Sequence, residues 1–408
     1  MAKKPKTLPG RVFAQFGSIW LTIALLTNLF LLTWLGTLEQ VEKGIHQVQA
    51  EYFESWWVLA KAGPLKVLLP GGYFTMGLFT VNLVIGGLIR IRKSKATIGV
   101  IIGHVGIALM MIGGLVEHAT SDYGRIVLHT GEEGGEFQEY EGWEVAIWDA
   151  DATSGVQEYI IPGAQFTGLD GAALRTFERA DLPFDLVLSR FMENCTPKRA
   201  ASSGAPDAPV VEGMFLSEQA KDPENERNIA GLYVKAINGG AALHEETFLF
   251  GIEQFPWVFA AGGKNWAVEL RHTVHSMPFR LRLVKFTKDD HPGMSMARAY
   301  FSDVIKIDAD GSEHPLRIEM NKPLREKGLI VYQSGFGPQD GGLGEPYSVL
   351  AVSKNPSDRI PWISVTVIAV GLLWTFLARL LGFLGKERRR ALKAAGQSAG
   401  SGAETKAA

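Results

Sequence analysis

The stretch ATIGVIIGHVGIALMMIGGLV, residues 96–116, contains no Asp, Glu, Lys or Arg. A helix needs about 20 apolar residues to cross the hydrocarbon core of a bilayer, and this run is long enough. Three further stretches lack the same four residues: 12–38, 67–89 and 360–378. One such run can be a buried core helix. Four of them, separated by polar segments, read as four transmembrane α-helices. Overall composition, 46% hydrophobic and 21% charged, would not separate a membrane protein from a soluble one, so the distribution decides. The first run is expected to remain as an anchor. Its apolar part, 19–35, exceeds the roughly 7–15 apolar residues of a cleavable signal, and no small-x-small site follows.

Basic residues set the expected orientation, because cytoplasmic flanks carry the excess of Lys and Arg. Lys3, Lys4, Lys6 and Arg11 precede the first span, and Arg90, Arg92, Lys93 and Lys95 fill the gap between the second and third. Arg379, Lys386, Arg388, Arg389, Arg390 and Lys393 follow the last. The reading is a cytoplasmic arm at 1–11, spans at 12–38, 67–89, 96–117 and 359–384, a cytoplasmic turn at 90–95 and a cytoplasmic tail at 385–408. The loop 39–66 and the large segment 118–358 then lie on the outer side of a cytoplasmic membrane. That segment holds 36 acidic against 22 basic residues, a formal charge of −14 hidden within the chain's −2. No basic face of the kind that tracks a phosphate backbone is present, which excludes a nucleic-acid binder. The single cysteine, Cys195, cannot form an internal disulfide. The chain has no Cys-x-x-Cys-His, so it is neither a c-type cytochrome nor a thiol reductant of the Cys-x-x-Cys kind.

In the loop 39–66, Tyr52, Phe53, Trp56, Trp57 and Leu59 fall mostly on one face of a short helix, with Glu51, Glu54 and Ser55 towards the other. An interfacial helix on the outer leaflet fits this pattern, since Trp and Tyr favour that layer. Plain aromatic packing against the exported domain is the alternative. Spans two and three form an antiparallel hairpin around the basic turn, and Gly99, Gly103 and Gly106 allow a helix to approach span three closely. From Gly124 onward the pattern changes to period two. Strands are predicted at 125–129, 144–149, 185–190, 232–237, 247–252, 266–272, 279–286, 301–307, 316–320 and 329–332. Asp308–Ala309–Asp310–Gly311 reads as a hairpin turn. The expected architecture is therefore four spans with a large exported all-β domain, sandwich or barrel-like, between spans three and four. Residues 199–227 read as a long mobile loop, and the end of the chain from about 391 as a disordered tail.

Several motifs, in order, are similar to those of a known family. LGTLEQ (35–40) follows span one, and YFESWW (52–57) lies in the loop. NLVIGGLIRIRK (82–93) ends span two, and GHVGIALMMIGGLV (103–116) forms span three. PFRLRLVKF (278–286) and MNKPLREKGLIVYQSGFGP (320–338) precede the last span. Together they resemble the ResB, or CcsB, proteins of System II cytochrome c biogenesis. The resemblance covers the spans and the last third of the exported domain. Residues 150–246 carry no family motif, so nothing is transferred there. Membership implies a multi-span partner of the CcsA/ResC type, apocytochrome c as the protein served, and haem b held transiently between the two subunits. It implies that the pair exports haem and attaches it to apocytochrome c, with this chain a non-catalytic or co-catalytic subunit of the cytochrome c haem-lyase complex. The 323–338 segment reads as structural.

His104 is the one strongly titratable group inside any charge-free run. A polar side chain at that depth is costly and is a functional candidate by default. Imidazole is a common axial ligand of haem iron. From the residues alone, a histidine bonded to a neighbouring helix carbonyl is an equal reading; in the resembling family a span-three histidine is implicated as a haem ligand, and Gly103-His104-Val105-Gly106 sits where that motif sits. At about 100° per residue the three glycines project roughly 100–160° away from His104, so ridge and histidine meet different neighbours. One neighbour is span two, by hairpin proximity, and the partner subunit is a candidate for the other. His118 at the membrane edge, the strand histidines His129, His272 and His275, and His46, His244, His291 and His314 read as unremarkable. His272 and His275 are three apart and face opposite sides of a strand. Met110, Met111, Met294 and Met296 read as fillers. Two other functions stay open: a b-type haem electron-transfer subunit, which would ordinarily carry paired intramembrane histidines, and a structural or sensory anchor without cofactor.

Overall fold

Gly17 and Ser18 interrupt the first apolar run, so it forms two helices, α1 (Leu8–Phe16) and α2 (Ile19–Lys43), before a single turn α3 (Ile45–Val48). The computed structural model describes residues 8–404 except positions 64, 96, 154, 172, 201–207, 295–296 and 339–344. A π turn at Gln49–Phe53 then leads into a two-stranded hairpin, β1 (Trp57–Ala62) and β2 (Leu65–Pro70). The expected interfacial helix is thus corrected: only Tyr52 and Phe53 of its aromatic set are helical. Trp57 and Leu59 sit two apart, a spacing that puts both on one face of a strand and on opposite sides of a helix. Next come α4 (Gly72–Asn82), a π turn at Leu83–Ile89, α5 (Ile98–Thr120) and, at the far end of the chain, α6 (Ile360–Glu404).

Four helical segments are long and apolar enough to cross a bilayer: Ile19–Lys43, Gly72–Ile89, Ile98–Thr120 and Ile360–Leu392. The chain is a membrane protein. It divides into two compact units, one made of Met1–Gln40, Gln47–Ser121 and Asn355–Ala408, the other of Val41–His46 and Asp122–Lys354. In the helical unit the glycine ridge of α5 faces α6. A Cβ on Gly106 would lie 2.6 Å from Ile368 Cγ1, one on Gly99 2.4 Å from the Gly371 carbonyl, and one on Gly113 2.6 Å from Ile360. Gly371 returns the contact: a Cβ on it would lie 2.6 Å from the Gly103 nitrogen. Gly103 itself has open space where its side chain would begin. The indole of Trp374 donates to the Lys95 carbonyl at 3.0 Å and ties α6 to a residue just before the start of α5. The helix runs on to Glu404, where the sequence predicts a disordered tail. The helix formers Ala391, Leu392, Lys393, Ala394 and Ala395 carry it past the span, and just before them Arg390 pairs with Glu387 one turn back at 2.8 Å.

The β-rich unit begins with β3 (Asp122–His129), β4 (Glu133–Asp149), β5 (Glu158–Pro162), β6 (Leu174–Phe177) and β7 (Asp185–Met192). It continues with β8 (Cys195–Arg199), β9 (Met214–Glu218), β10 (Gly231–Asn238), β11 (Ala241–Ala242) and β12 (Thr247–Phe250). β13 (Trp257–Ala261), β14 (Lys264–Asp290), β15 (Ala297–Asp308) and β16 (Glu313–Glu319) follow. β17 (Leu324–Glu326), β18 (Leu329–Gly337) and β19 (Tyr347–Lys354) complete it. The stretch expected as a loop at 199–227 contains β9, which pairs with β8; positions 201–207 lie outside the described residues. Met214, Phe215 and Leu216 supply a short apolar strand that its polar surroundings hide in the sequence. Asp308–Gly311 is the predicted turn, with Gly311 at φ +83 and β15 pairing with β16 across it.

All pairings are antiparallel. The larger sheet runs β16-β15-β14-β4-β3-β19-β18-β17, and β11-β10-β7-β6 forms the smaller one with β12 beside β10. Two cores result. In the first, Val145, Ile147, Val268 and Leu270 of the larger sheet pack against Leu186, Leu188, Leu232 and Val234 of the smaller, as in a sandwich. In the second, the large sheet curls so that Leu128, Phe137, Leu281, Val304, Val331 and Leu350 converge. Within that curl Ser302, Gln333 and Ser348 are buried and bonded to one another at 2.6–3.1 Å. The long strands β4 and β14 run through both cores, and bulges next to His272 and Ser276 bend β14 between them.

Replacing Gly106 or Gly371 with Leu is expected to force α5 and α6 apart and to cost about 1–3 kcal/mol or more. Gly103→Leu, pointing into open space, is expected to cost less. Thermal unfolding of the purified variants in detergent checks the order, and equal midpoints for all three would contradict this packing.

Candidate functional site

His104 lies six residues into α5, about 9 Å from its Ile98 end. Its ring packs on span two at Gly87, where a Cβ would stand 3.0 Å from Cγ and Nδ1 and 3.2 Å from Cε1. Only glycine leaves that cradle free. Gly87 belongs to the π turn Leu83–Ile89, a widening of the helix that often accompanies functional sites. The neighbouring Gly86 meets the break in span one: a Cβ there would be 3.0 Å from the Gly17 carbonyl. Three irregular features therefore share one level. Span one breaks, span two widens, and span three carries a histidine.

The ring nitrogens decide what this histidine is. Nδ1 is buried and has no hydrogen-bond partner. Neutral imidazole offers one donor and one acceptor, and leaving a buried polar atom unpaired costs about 1–3 kcal/mol. A structural histidine bonded through Nδ1 to a helix carbonyl is not what is seen. The glycine ridge and His104 do meet different neighbours, but the ridge faces α6 and the histidine faces span two. Sequence reasoning missed Gly87. The pair Gly86-Gly87 inside NLVIGGLIRIRK was its only signal.

The other candidates have ordinary partners. Tyr73 and His118 share a hydrogen bond at 2.9 Å from Tyr73 Oη to His118 Nε2, and Glu54 stands 3.7 Å from His118 Nδ1. In the β-rich unit His272 stacks on Trp143, 4.0 Å between ring centres, and Nδ1 donates to the Gly142 carbonyl at 3.2 Å. Burial pushes that imidazole below the usual histidine range, so it is neutral. His275 stacks on Phe137 and bonds to Glu139 at 2.6 Å. It does not approach His272 as a co-ligand. Asp122, Glu139 and His275 lie within 4.8 Å of one another, but Lys354 pairs with Asp122 at 2.9 Å, so the group is a charge-matched network. His129 packs on Tyr347, His244 on Phe259, His46 pairs with Glu141 and His314 with Asp308. Met294 is exposed, and Met296 lies outside the described residues. A cavity of about 300 Å³ lined by Tyr159, Arg175, Phe177 and Arg179 and one of about 210 Å³ lined by Tyr140, Trp143, Phe191 and His272 bring no nucleophile against a base.

Cys195 is buried against Leu216 and Tyr233, and burial pushes its thiol up to about 12. A thiol so high is nearly all protonated at neutral pH and a poor nucleophile. Maleimide is expected to leave the folded chain unlabelled and to modify it fully after denaturation. Rapid labelling of the native chain would contradict this.

A model of the ResB-like family matches residues 94–345, more than half of the chain. No curated protein matches it. The matched region takes in the last two residues of the basic turn, α5 with His104 and most of the β-rich unit, and the chain belongs to the ResB-like family, which is associated with cytochrome c biogenesis.

Proposed function

We propose that this chain is a haem-handling subunit of System II cytochrome c biogenesis and that His104 is an axial ligand of haem iron during transfer. The unpartnered, buried Nδ1 of His104 against Gly87 is the observation that carries this reading. Nδ1 is closed in against Gly87 and bonds to no protein carbonyl, so on this reading the ring would meet iron through Nε2. Haem b is the cargo and supplies the iron. The chain supplies the ring, the glycine cradle that lets span two approach it, and the surrounding apolar side chains that exclude water. No other histidine lies within a spanning helix away from its end, so a second axial ligand has to come from elsewhere. ResB-like proteins generally work with a CcsA-type multi-span partner, and that subunit is the natural donor. A b-type electron-transfer role would need a second intramembrane histidine on this chain.

The basic flanks put residues 1–11, 90–95 and 385–408 in the cytoplasm and the acidic β-rich unit outside, where apocytochrome c is matured. On this reading the chain exports and holds haem with its partner and supports its attachment to apocytochrome c, as a non-catalytic or co-catalytic subunit.

Two experiments test the reading. Haem per assembled complex is measured for wild type and His104→Ala, each purified with the CcsA-type partner. The variant is expected to assemble but to lose bound haem and cytochrome c maturation, with partial recovery on adding imidazole. Gly87→Ala, which crowds the ring, is expected to lower haem content with His104 still present. Equal haem ratios in wild type and His104→Ala would refute the ligand assignment. For sidedness, a reporter that works only outside the cytoplasm, fused after Gly131, is expected to be active, and activity of a cytoplasm-only reporter there would reverse the topology.

A further inference from the structure

The hairpin β1–β2 has no part in the haem reading, yet it presents a surface without a partner among the described residues. Its register puts Trp57 opposite Pro70, Leu59 opposite Leu68 and Lys61 opposite Lys66 on one face. Val58 opposite Leu69 and Ala60 opposite Val67 form the other. The second face is covered, with Val58 and Ala60 buried in a cluster with Leu32 and Leu35 of α2 and with Val48 and Tyr52. The first is bare. Trp57 and Leu59 are each 57% exposed, Leu68 66%, and the adjoining Trp56 64%.

The base of the hairpin sits at the rim of the apolar helices. Asn28 Nδ2 donates to the Pro70 carbonyl at 2.9 Å, the Gly71 amide donates to the Trp56 carbonyl at 2.8 Å, and α4 begins at Gly72. Tyr73, in the first turn of α4, meets His118 in the last turn of α5, so two spans end at this level. Trp57 stacks on Phe74 at 5.3 Å, and Trp56 meets Tyr73 edge-on at 6.5 Å. The bare face is therefore continuous with the lipid-facing flank of span two.

A two-stranded sheet leaves the outer backbone groups of both strands unpaired, which hydrocarbon does not tolerate and the hydrated head-group layer does. From the rim outward the bare face reads Trp57/Pro70, then Leu59/Leu68, then Lys61/Lys66, the order in which acyl boundary and head groups follow one another. The two lysines stand directly opposite in an antiparallel pair, an arrangement that repulsion disfavours, and among the described residues neither has an ion-pair partner. An anion between them would relieve the repulsion.

We propose that this face of the hairpin is a lipid-binding surface: Trp56, Trp57, Leu59 and Leu68 rest in the boundary between head groups and acyl chains, and Lys61 and Lys66 together hold the phosphate of an anionic phospholipid. The hairpin is then an interfacial clamp that fixes the depth of spans one and two.

The test uses the full chain in phospholipid nanodiscs, with an environment-sensitive fluorophore on Leu59→Cys or Leu68→Cys and on the exposed control Glu245→Cys. Buried Cys195 stays unlabelled. Positions 59 and 68 are expected to lose emission to a doxyl group placed near the lipid head, less to one near the chain end, and little to aqueous iodide. Glu245→Cys is expected to show the reverse. Changing both lysines to Glu is expected to weaken lipid quenching in phosphatidylglycerol discs and to alter it little in phosphatidylcholine discs. Iodide quenching at 59 and 68 equal to that at 245 would overturn the proposal, as would shielding from both lipid and iodide, which would mean a protein surface. Haem enters none of these readouts, so their failure leaves the proposed function untouched.

Discussion

One buried amide, that of Asn82, holds the inner part of the helical unit together. Span one is broken at Gly17 and Ser18, and a broken helix in an apolar layer exposes carbonyls that nothing but protein can satisfy. Asn82 Nδ2 donates to the Phe16 carbonyl at 2.6 Å and to that of Ser18 at 3.2 Å, while Oδ1 accepts from Thr22 at 2.7 Å. Arg90 adds a donor to the Ala14 carbonyl at 2.7 Å. These bonds bring span two against span one at the level where Gly86 and Gly17 approach. The π turn that starts at Leu83, immediately after Asn82, leaves Gly87 as the floor under His104. The amide, the break and the π turn form one construction, and the unpaired imidazole sits at its centre.

The β-rich unit solves a different problem: a segment with a large excess of acid has to fold without self-repulsion opening it. It places most charge at strand surfaces and pairs the few buried ions. Glu144 is buried and held by Arg271 at 2.9 Å, which also reaches Glu158. Asp308 is drawn down to about 2 by hydrogen bonds from Lys306 and Lys327. Because its folded pKa lies below the unfolded value, the stabilisation it contributes is present above the normal carboxylate range and is lost as pH falls towards 2.

Much of this was legible in the sequence because bilayer and sheet both leave long, simple signatures. Four apolar runs and basic flanks gave the helices, and period two gave most strands. The misreadings share a cause: local pattern that fits two structures. The aromatic cluster at 52–59 satisfies a helix face and a strand face alike, and only the register with 65–70 selects the hairpin. The strands read at 266–272 and 279–286 are one strand, β14, because bulges interrupt the alternation without ending the pairing. The glycine ridge was visible, but its neighbour was not. Nothing local says that Gly371, more than 250 residues further on, meets Gly103. His104 stood out because charge-free runs make any titratable group conspicuous, whereas Gly87 acquires meaning only beside it.

A single imidazole per chain also bears on how a carried group is let go. Two strong ligands from one rigid scaffold hold iron as a resident cofactor, since neither can leave without the other's help. On the proposed reading this chain contributes one ligand and the partner contributes the other, so the bound state depends on the contact between subunits. Weakening that contact removes one ligand without distorting either chain. The rigid cradle formed by Gly87 and the repaired helix break keeps His104 in place through such a change, which suits a site that must refill. On that reading, the irregular backbone of spans one and two serves a site that holds its ligand in position and its cargo only while the assembly is complete.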